Sequence, residues 1–416
     1  MRNKLKFIVL AAVVFLSTAS LSQVVSGTAG KLTWSLNPND STLTITGKGA
    51  MSNYNYSDCL SPWYEHRNAI AAVIIGNKIA NIGDYAFLDC SNLTSITIPN
   101  SVVKIGMAAF RTCNSLKYVN IPNSVKNIGK EAFFDCSGLT SVIISSSITS
   151  INEYLFYRCS NLISVHIPNK VTTIEDYAFY QCGELSSINI PGGVINIGSR
   201  VFSQCKKLTS ITIPNKLASI GDFAFQDCVA LTSVAIPPNV ISIGIYAFGF
   251  CTNLTAIDVD SNNTVFSSED GILFNKNKTT IIQYPSGKAN RSYVIPNSVT
   301  IIGTSAFRVS RLFSITVPNS VSIINDFAFS ASRNLTSVTI GSGVAKVEHG
   351  VFVDCTALGR IYLLGENPPM VNDEHTFFGV NKNTCVLFVP VDFKEKYASA
   401  VGWKEFVNIK EIAFPK

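Results

Sequence analysis

Charge is scarce in this 416-residue chain: Asp, Glu, Lys and Arg together make up 14% of it, against 47% hydrophobic residues. Disorder needs the opposite balance, so most of the chain is expected to fold. Basic residues are scattered, with no stripe of Lys and Arg, which gives nucleic acid no surface to bind. The formal charge of +6 includes Arg2, Lys4 and Lys6; without those three it is +3. Histidine is rare too, with four in all: His66, His166, His349 and His375. There is no C-x-x-C, G-x-S-x-G, H-E-x-x-H or phosphate-binding loop. His66 and His349 follow Glu65 and Glu348, but sequence neighbours on a strand or turn point apart. His375 follows Asp373 and Glu374 in the polar stretch "MVNDEHTFFG"; such a residue could bind a metal, but the stretch reads rather as a solvated loop, and "SSEDG" at 267–271 reads as a turn. No catalytic residue, metal-ligand set or cofactor site is assigned, and the chain is expected not to be an enzyme.

Long apolar runs are also missing, except at the start. "MRNKLKFIVLAAVVFLSTASLSQVVSG" has a basic opening, an apolar stretch from Phe7 to Leu16, and then small residues at Ser20, Ser22, Ser26 and Gly27. This is the pattern of a secretory signal peptide, taken here as residues 1–26. The apolar stretch is about half the ~20 residues of a spanning helix, which favours a cleaved leader over a retained anchor. The first cysteine is Cys59, far from the apolar run, which argues against a lipoprotein, and "NIKEIAFPK" is no hydrophobic sorting tail. The mature chain is expected to begin between Gln23 and Lys31 and to be exported: secreted or at the cell surface, or in a periplasm.

What the chain does have is a period. Cysteine stands at 90, 113, 136, 159, 182, 205, 228 and 251, always 23 residues apart. Phenylalanine keeps the same step from Phe87 to Phe248, and proline keeps it from Pro99 to Pro237, with Ser145 in the one gap. The averaged unit is C-x-x-L-T-S-I-x-I-P-N-x-V-x-x-I-G-x-x-A-F-x-x. A fixed period of this length marks a solenoid, in which one unit cannot bury its apolar face and stacked copies can. "LTSITIP" alternates and is β-branched, so it reads as a strand ended by proline. "IGDYAFLDC" reads as a short helical or 3₁₀ turn with Ala and Phe inward. The expected fold is an α/β repeat: a solenoid of 23-residue coils with a parallel sheet on one face, short turns on the other and caps at both ends. Some thirteen coils at ~4.8 Å each make a rod or arc of roughly 60 Å.

After Cys251 the period breaks. Asp260 to Pro296 is one coil plus 13 residues, and "GILFNKNKTTIIQYP" reads as a β-hairpin growing out of the solenoid, at about 261–290. The expected organisation is an N-terminal capping hairpin at 27–69, the solenoid at 70–366 and a C-terminal cap at 367–416. In that cap "CVLFVPVDFKEKYASAVGWKEFVNIKEI" reads as strand, helix, strand.

The cysteine column is a geometric question. Equivalent Cβ atoms of stacked coils point the same way and stay about 5 Å apart, against the ~3.8 Å a disulfide prefers. A straight row also supplies no tetrahedron of metal ligands. The column therefore reads as buried thiols packed as small apolar groups. Cys59 and Cys385 lie outside it and are expected to be the exposed, reactive pair.

The "LTSIxIPNSVxxIGxxAFxxC" unit resembles the bacterial BspA-like leucine-rich repeats, over residues 31 to about 412. "SSEDGILFNKNKTTIIQYP" (267–285) and "VPVDFKEKYASAVGWKEF" (389–406) carry the resemblance beyond the coils. It implies a secreted or cell-surface leucine-rich-repeat protein acting in adhesion or protein–protein recognition. The outward strand positions are the free surface. Among them Tyr118, Asn120, His166, Asn189, Asp258, Arg360 and Tyr362 stand out from a mostly Ser/Thr background as candidate binding residues, because aromatic residues and Arg concentrate binding energy. The expected partner is a protein or glycan ligand on host or neighbouring cells, not nucleic acid. The alternative is a structural scaffold of the cell envelope with no soluble ligand.

Overall fold

The computed structural model describes residues 23–371 and 373–414. The expected leader lies almost wholly outside them, although Val25 and Ser26 already belong to a strand, Val25–Ala29.

The repeat becomes a stack of coils. Strands Ser95–Thr97, Tyr118–Asn120, Ser141–Ile143, Ser164–His166 and Ser187–Asn189 lie side by side on the wide face. Where they pair, they do so in parallel, with each residue opposite the one 23 further on, as in Ser141↔Ser164 and His166↔Asn189. Proline follows and ends each of these strands except Ser141–Ile143, where Ser145 takes its place. After the corner, two residues per coil form a second, narrow parallel sheet: Lys104–Ile105, Asn127–Ile128, Ser150–Ile151, Thr173–Ile174 and Asn196–Ile197.

The third side corrects the sequence reading. The Ala-Phe segments are not helical. The helices among the described residues are a 3₁₀ turn at Tyr64–Ala69 and three short ones at the C-terminal end: Glu374–Phe377, Lys394–Ser399 and Trp403–Glu405. Two residues of each coil turn instead adopt left-handed backbone, such as Tyr85 (φ 53°) with Asp89 (φ 57°), and Ala108 (φ 49°) with Thr112 (φ 60°). This alternation aims N–H groups at the next coil rather than back along the chain. Tyr85, Phe87 and Asp89 donate to the carbonyls of Met107, Ala109 and Arg111 at 2.8, 2.8 and 3.0 Å. A non-glycine residue at positive φ costs of order 1 kcal/mol or more. A strain repeated in every coil persists because the neighbouring coil satisfies the polar groups it exposes.

Inside, the columns are continuous. The rings from Phe87 to Phe248 stack with centroids 5.2 to 5.7 Å apart and planes within 17°. Such pairs contribute ~0.5–1.5 kcal/mol each beyond their burial. The cysteines form the adjoining column. Each thiol from Cys113 to Cys251 donates to the carbonyl of a Phe in the preceding coil, as Cys136 does to Phe110 at 3.0 Å and Cys205 to Phe179 at 3.3 Å. Ser332 occupies the same column and donates its hydroxyl to the Phe307 carbonyl at 2.9 Å. The column thus selects a small donor. All eleven cysteines are free thiols, and burial pushes the column's thiols well up, Cys136 to about 12. Cys59 is exposed as expected, but Cys385 is fully buried, because its strand continues the wide sheet.

The inserted hairpin does not grow outward. Its strands Phe266–Glu269 and Ile272–Asn275 run through the stack, and Thr280–Gln283 joins the narrow sheet. Leu273 packs into the core before it, while Ile272 and Phe274 pack into the core after it, so the hairpin divides two apolar cores. Buried Asn263 starts it. Its amide donates to the Pro237 and Val240 carbonyls, and its side-chain oxygen accepts from the Val265 and Phe266 N–H groups.

Tryptophan closes both ends of the aromatic stack. Trp63 stacks on Phe87 at 5.9 Å and donates its indole N–H to the Ala86 carbonyl. Trp403 packs edge-on against Phe377 at 5.1 Å and donates to the Pro369 carbonyl. The hairpin of Leu32–Asn37 and Thr42–Gly47 pairs in parallel with Ala72–Ile75 of the first coil. At the other end Val386–Pro390 and Asn408–Ile412 pair in parallel with what precedes them, so the terminal segment adds two coils to the thirteen expected, giving about fifteen.

Two measurements check this core. Phe179→Ala is expected to lose about 3–5 kcal/mol in denaturant unfolding; a loss under about 1 kcal/mol contradicts the internal ladder. With a thiol reagent, the native chain is expected to label at Cys59 alone, and the denatured chain at all eleven cysteines. Fewer than eleven after denaturation without reductant means disulfides.

Candidate functional site

Core columns are committed to packing, so chemistry is left to the outward side chains. On the wide face the structure places Tyr118, Asn120, His166, Asn189, Asp258 and Arg360 at the surface, as their alternation predicts. Tyr118 is 47% exposed. Asn120 lies opposite Ile143, His166 opposite Asn189, and Asn189 opposite Thr212, so these side chains form one row along the first run of coils. Asp258 ends that row opposite Ala235. Exposed Ile74 and Ile143 add apolar area to the same face.

Arg360 and Tyr362 are not brought to this row. They lie in the second run, opposite Ser337 and Thr339, with the divider between. Tyr362 is half-buried because Phe388 stacks on it at 4.6 Å with planes 12° apart. The tip of the divider reaches the wide face beside Asp258: the Ile257 N–H donates to the Gly271 carbonyl at 2.8 Å. Its exposed Glu269 pairs with Lys278 at 2.7 Å. Asp270 receives the nearly buried Lys288 at 3.1 Å on its carboxylate and 2.6 Å on its carbonyl.

A second cluster joins His375, set aside in the sequence as part of a solvated loop, to His349, which the sequence did not connect with it. His349 sits on the turn side of the last full coil. Asp373 and His375 flank the start of the 3₁₀ turn Glu374–Phe377. The Phe352 N–H donates to the Thr376 carbonyl at 2.9 Å, and the Thr376 hydroxyl donates to the Glu348 carbonyl at 3.2 Å. That clamp sets the Asp373 carboxylate between two imidazoles, with His375 Nδ1 at 2.9 Å and His349 Nδ1 at 2.6 Å. The signal that finds it is the phenylalanine column, which continues from Phe352 to Phe377 at 5.5 Å and lays 373–375 beside 349.

The electrostatics follow from the contacts. The hydrogen bond and charge of Asp373 raise the His375 pKa above its ordinary 6.5. Burial alone pushes the Asp373 carboxyl up, but hydrogen bonds from His375 and the charges of both histidines outweigh it and hold the pKa below 3.8. The raised histidine stabilises the fold fully below 6.5 and loses that contribution as pH rises through its folded-state value. The lowered carboxyl contributes above 3.8 and loses its share on acidification. The pair therefore acts most strongly between these limits. An NMR titration is expected to place the His375 midpoint above 6.5, falling towards it in Asp373→Asn; an unchanged midpoint in the variant contradicts the pairing.

Comparisons with known proteins fit this architecture. A family model described as the BspA type leucine rich repeat region, in six copies, matches residues 64–185, 172–290 and 286–383. The crystal structure of a leucine rich cell surface protein from Faecalibacterium prausnitzii is 27% identical, with a TM-score of 0.64, covering 94% of this chain and 95% of that one. A leucine-rich repeat protein from Bacteroides ovatus shares the fold at 22% identity and a TM-score of 0.54, covering 80% of this chain and 93% of that one. No curated protein matches this chain. Among the described residues no helix is long and apolar enough to cross a membrane. With the family model spanning well over half of its length, this chain belongs to the BspA-type leucine-rich-repeat family.

Proposed function

We propose that this chain is an exported, non-catalytic binding protein that holds a protein or glycan ligand of host or neighbouring cells through the wide sheet of its solenoid. The observation that carries the reading is the exposed row Asn120, Ile143, His166, Asn189 and Thr212, with Tyr118 beside it. It is an extended, nearly uncharged surface bearing amide and imidazole groups that can hydrogen-bond a ligand and one exposed tyrosine, a residue type enriched where binding energy concentrates. The similarity to a leucine rich cell surface protein supports a surface address. Strand Val25–Ala29 pairs with Leu32–Leu36, and cleavage of a leader between Ser22 and Gln23 keeps that strand whole.

The scaffold reading has less support. Trp63 and Trp403 close the ends of the aromatic stack, and the last strand presents exposed Lys410 and Glu411, charges that discourage edge-to-edge pairing.

The test is binding to immobilised matrix proteins and a glycan array at physiological salt, comparing wild type with Tyr118→Ser plus His166→Ser, and with Arg360→Ser plus Tyr362→Ser. The first pair is expected to weaken binding about tenfold or more with unchanged melting temperature. The second pair is expected to weaken it less, because Tyr362 is partly covered and lies beyond the divider. Binding untouched by either pair contradicts a wide-face site.

A further inference from the structure

We propose that His349, Asp373 and His375 form a binding site for a divalent transition metal of the zinc class, joining the C-terminal segment to the last full coil. The inference is independent of the wide-face reading, since the cluster lies on the turn side.

One ligand atom from each of the three residues falls within 4.8 Å of the others. Two imidazoles and one carboxylate are a donor set that suits zinc and its neighbours, whereas magnesium and calcium take mostly oxygen ligands. Three protein ligands leave the fourth tetrahedral position to water or an outside group. Ligands ~2.0–2.1 Å from a tetrahedral ion stand about 3.3 Å from one another. The present nitrogen–oxygen separations of 2.6 and 2.9 Å therefore need to open by less than about 1 Å. The side chains are free to do so, being 48% exposed at His349 and 56% at His375.

Two further features point to a ligand. Asp373 Oδ2 is shielded from water and accepts no hydrogen bond, although His349 Nδ1 lies 2.6 Å away. The site also has built walls. The His349 and Phe327 rings pack in a T-shaped pair, with centroids 4.9 Å apart, and the His349 backbone N–H donates to the Asp326 carboxylate at 3.1 Å. With the Thr376 clamp on the other segment, both backbones are held in place before any ion arrives, so only the side chains need to adjust, which lowers the ordering cost of binding. On binding, each neutral imidazole carries its proton on Nε2 and offers Nδ1 to the ion. The carboxylate leaves a net charge of +1 on the loaded site.

The experiment is calorimetric titration of the purified chain with ZnCl2, in a Cys59→Ser background so that the exposed thiol adds nothing. One zinc per chain is expected, with a rise in melting temperature by mass action. MgCl2 and CaCl2 are expected to give no saturable heat. His349→Ala and His375→Ala are each expected to weaken zinc binding more than about tenfold, while His66→Ala leaves it unchanged. Metal-free circular dichroism melts of every variant show that the fold persists. No saturable zinc binding by the parent, or binding retained in the His349→Ala/His375→Ala double variant, overturns the proposal.

Discussion

A coil of this chain cannot satisfy its own backbone. On its wide and narrow sides it is a strand two to four residues long, and on its third side a turn whose left-handed residues aim their N–H groups outward. Short turns close some bonds within the coil, as Cys90 does to Phe87, but each side also depends on the neighbouring coils, so Thr94 donates back to Ala71 while Tyr85 donates forward to Met107. Everything else follows from that mutual dependence. Over the first run coils of one length let the groups meet, and the period of 23 is that requirement written as sequence; in the second run partners stand 22, 24 or 26 residues apart, with the difference taken up in the turns. Side chains must then align in columns. The column beside phenylalanine needs a small residue that can donate to a carbonyl in the coil before, which is why cysteine recurs there and why serine replaces it at 332.

The same constraint sorts residues into those with a structural duty and those without. Inward positions are filled by Leu, Ile, Val, Ala, Phe and Cys and carry no information about a ligand. The outward strand positions face solvent at a repeat of one coil, and the turn side carries the polar groups left over. Both candidate sites lie on these free surfaces. One is an extended row suited to a broad, weakly charged partner. The other is a compact cluster at the point where the period changes and the terminal segment docks.

Much of this was legible in the repeat. The strand, its proline stop, the buried cysteines, the capping hairpin and the outward alternation of Tyr118, His166 and Asp258 all follow from period and side-chain type. The misreadings have a common origin, in that they depend on what a neighbouring coil does. "IGDYAFLDC" looks helical by itself, and only the hydrogen bonds to the next coil make it a left-handed turn. The hairpin has the alternation of a protruding ribbon, yet Leu273 and Phe274 serve cores on opposite sides of it. Cys385 reads as exposed if its strand belongs to a cap, whereas that strand extends the sheet and the thiol is buried. His349 and His375 were judged by their sequence neighbours, and the stacking of Phe377 on Phe352 is what brings them together.

The central claim is that the 23-residue coil, and no smaller piece, is the unit of this fold. Its most direct test is thermal unfolding, followed by circular dichroism, of two internal deletions. Removing residues 160–182 takes out one whole period and rejoins Cys159 to Gly183 in register. Removing residues 160–170 takes out about half a period and shifts every column. The account predicts a cooperative transition near that of the parent for the first and loss of the cooperative transition for the second. Equal behaviour of the two deletions, or collapse of the whole-period deletion alone, would contradict it.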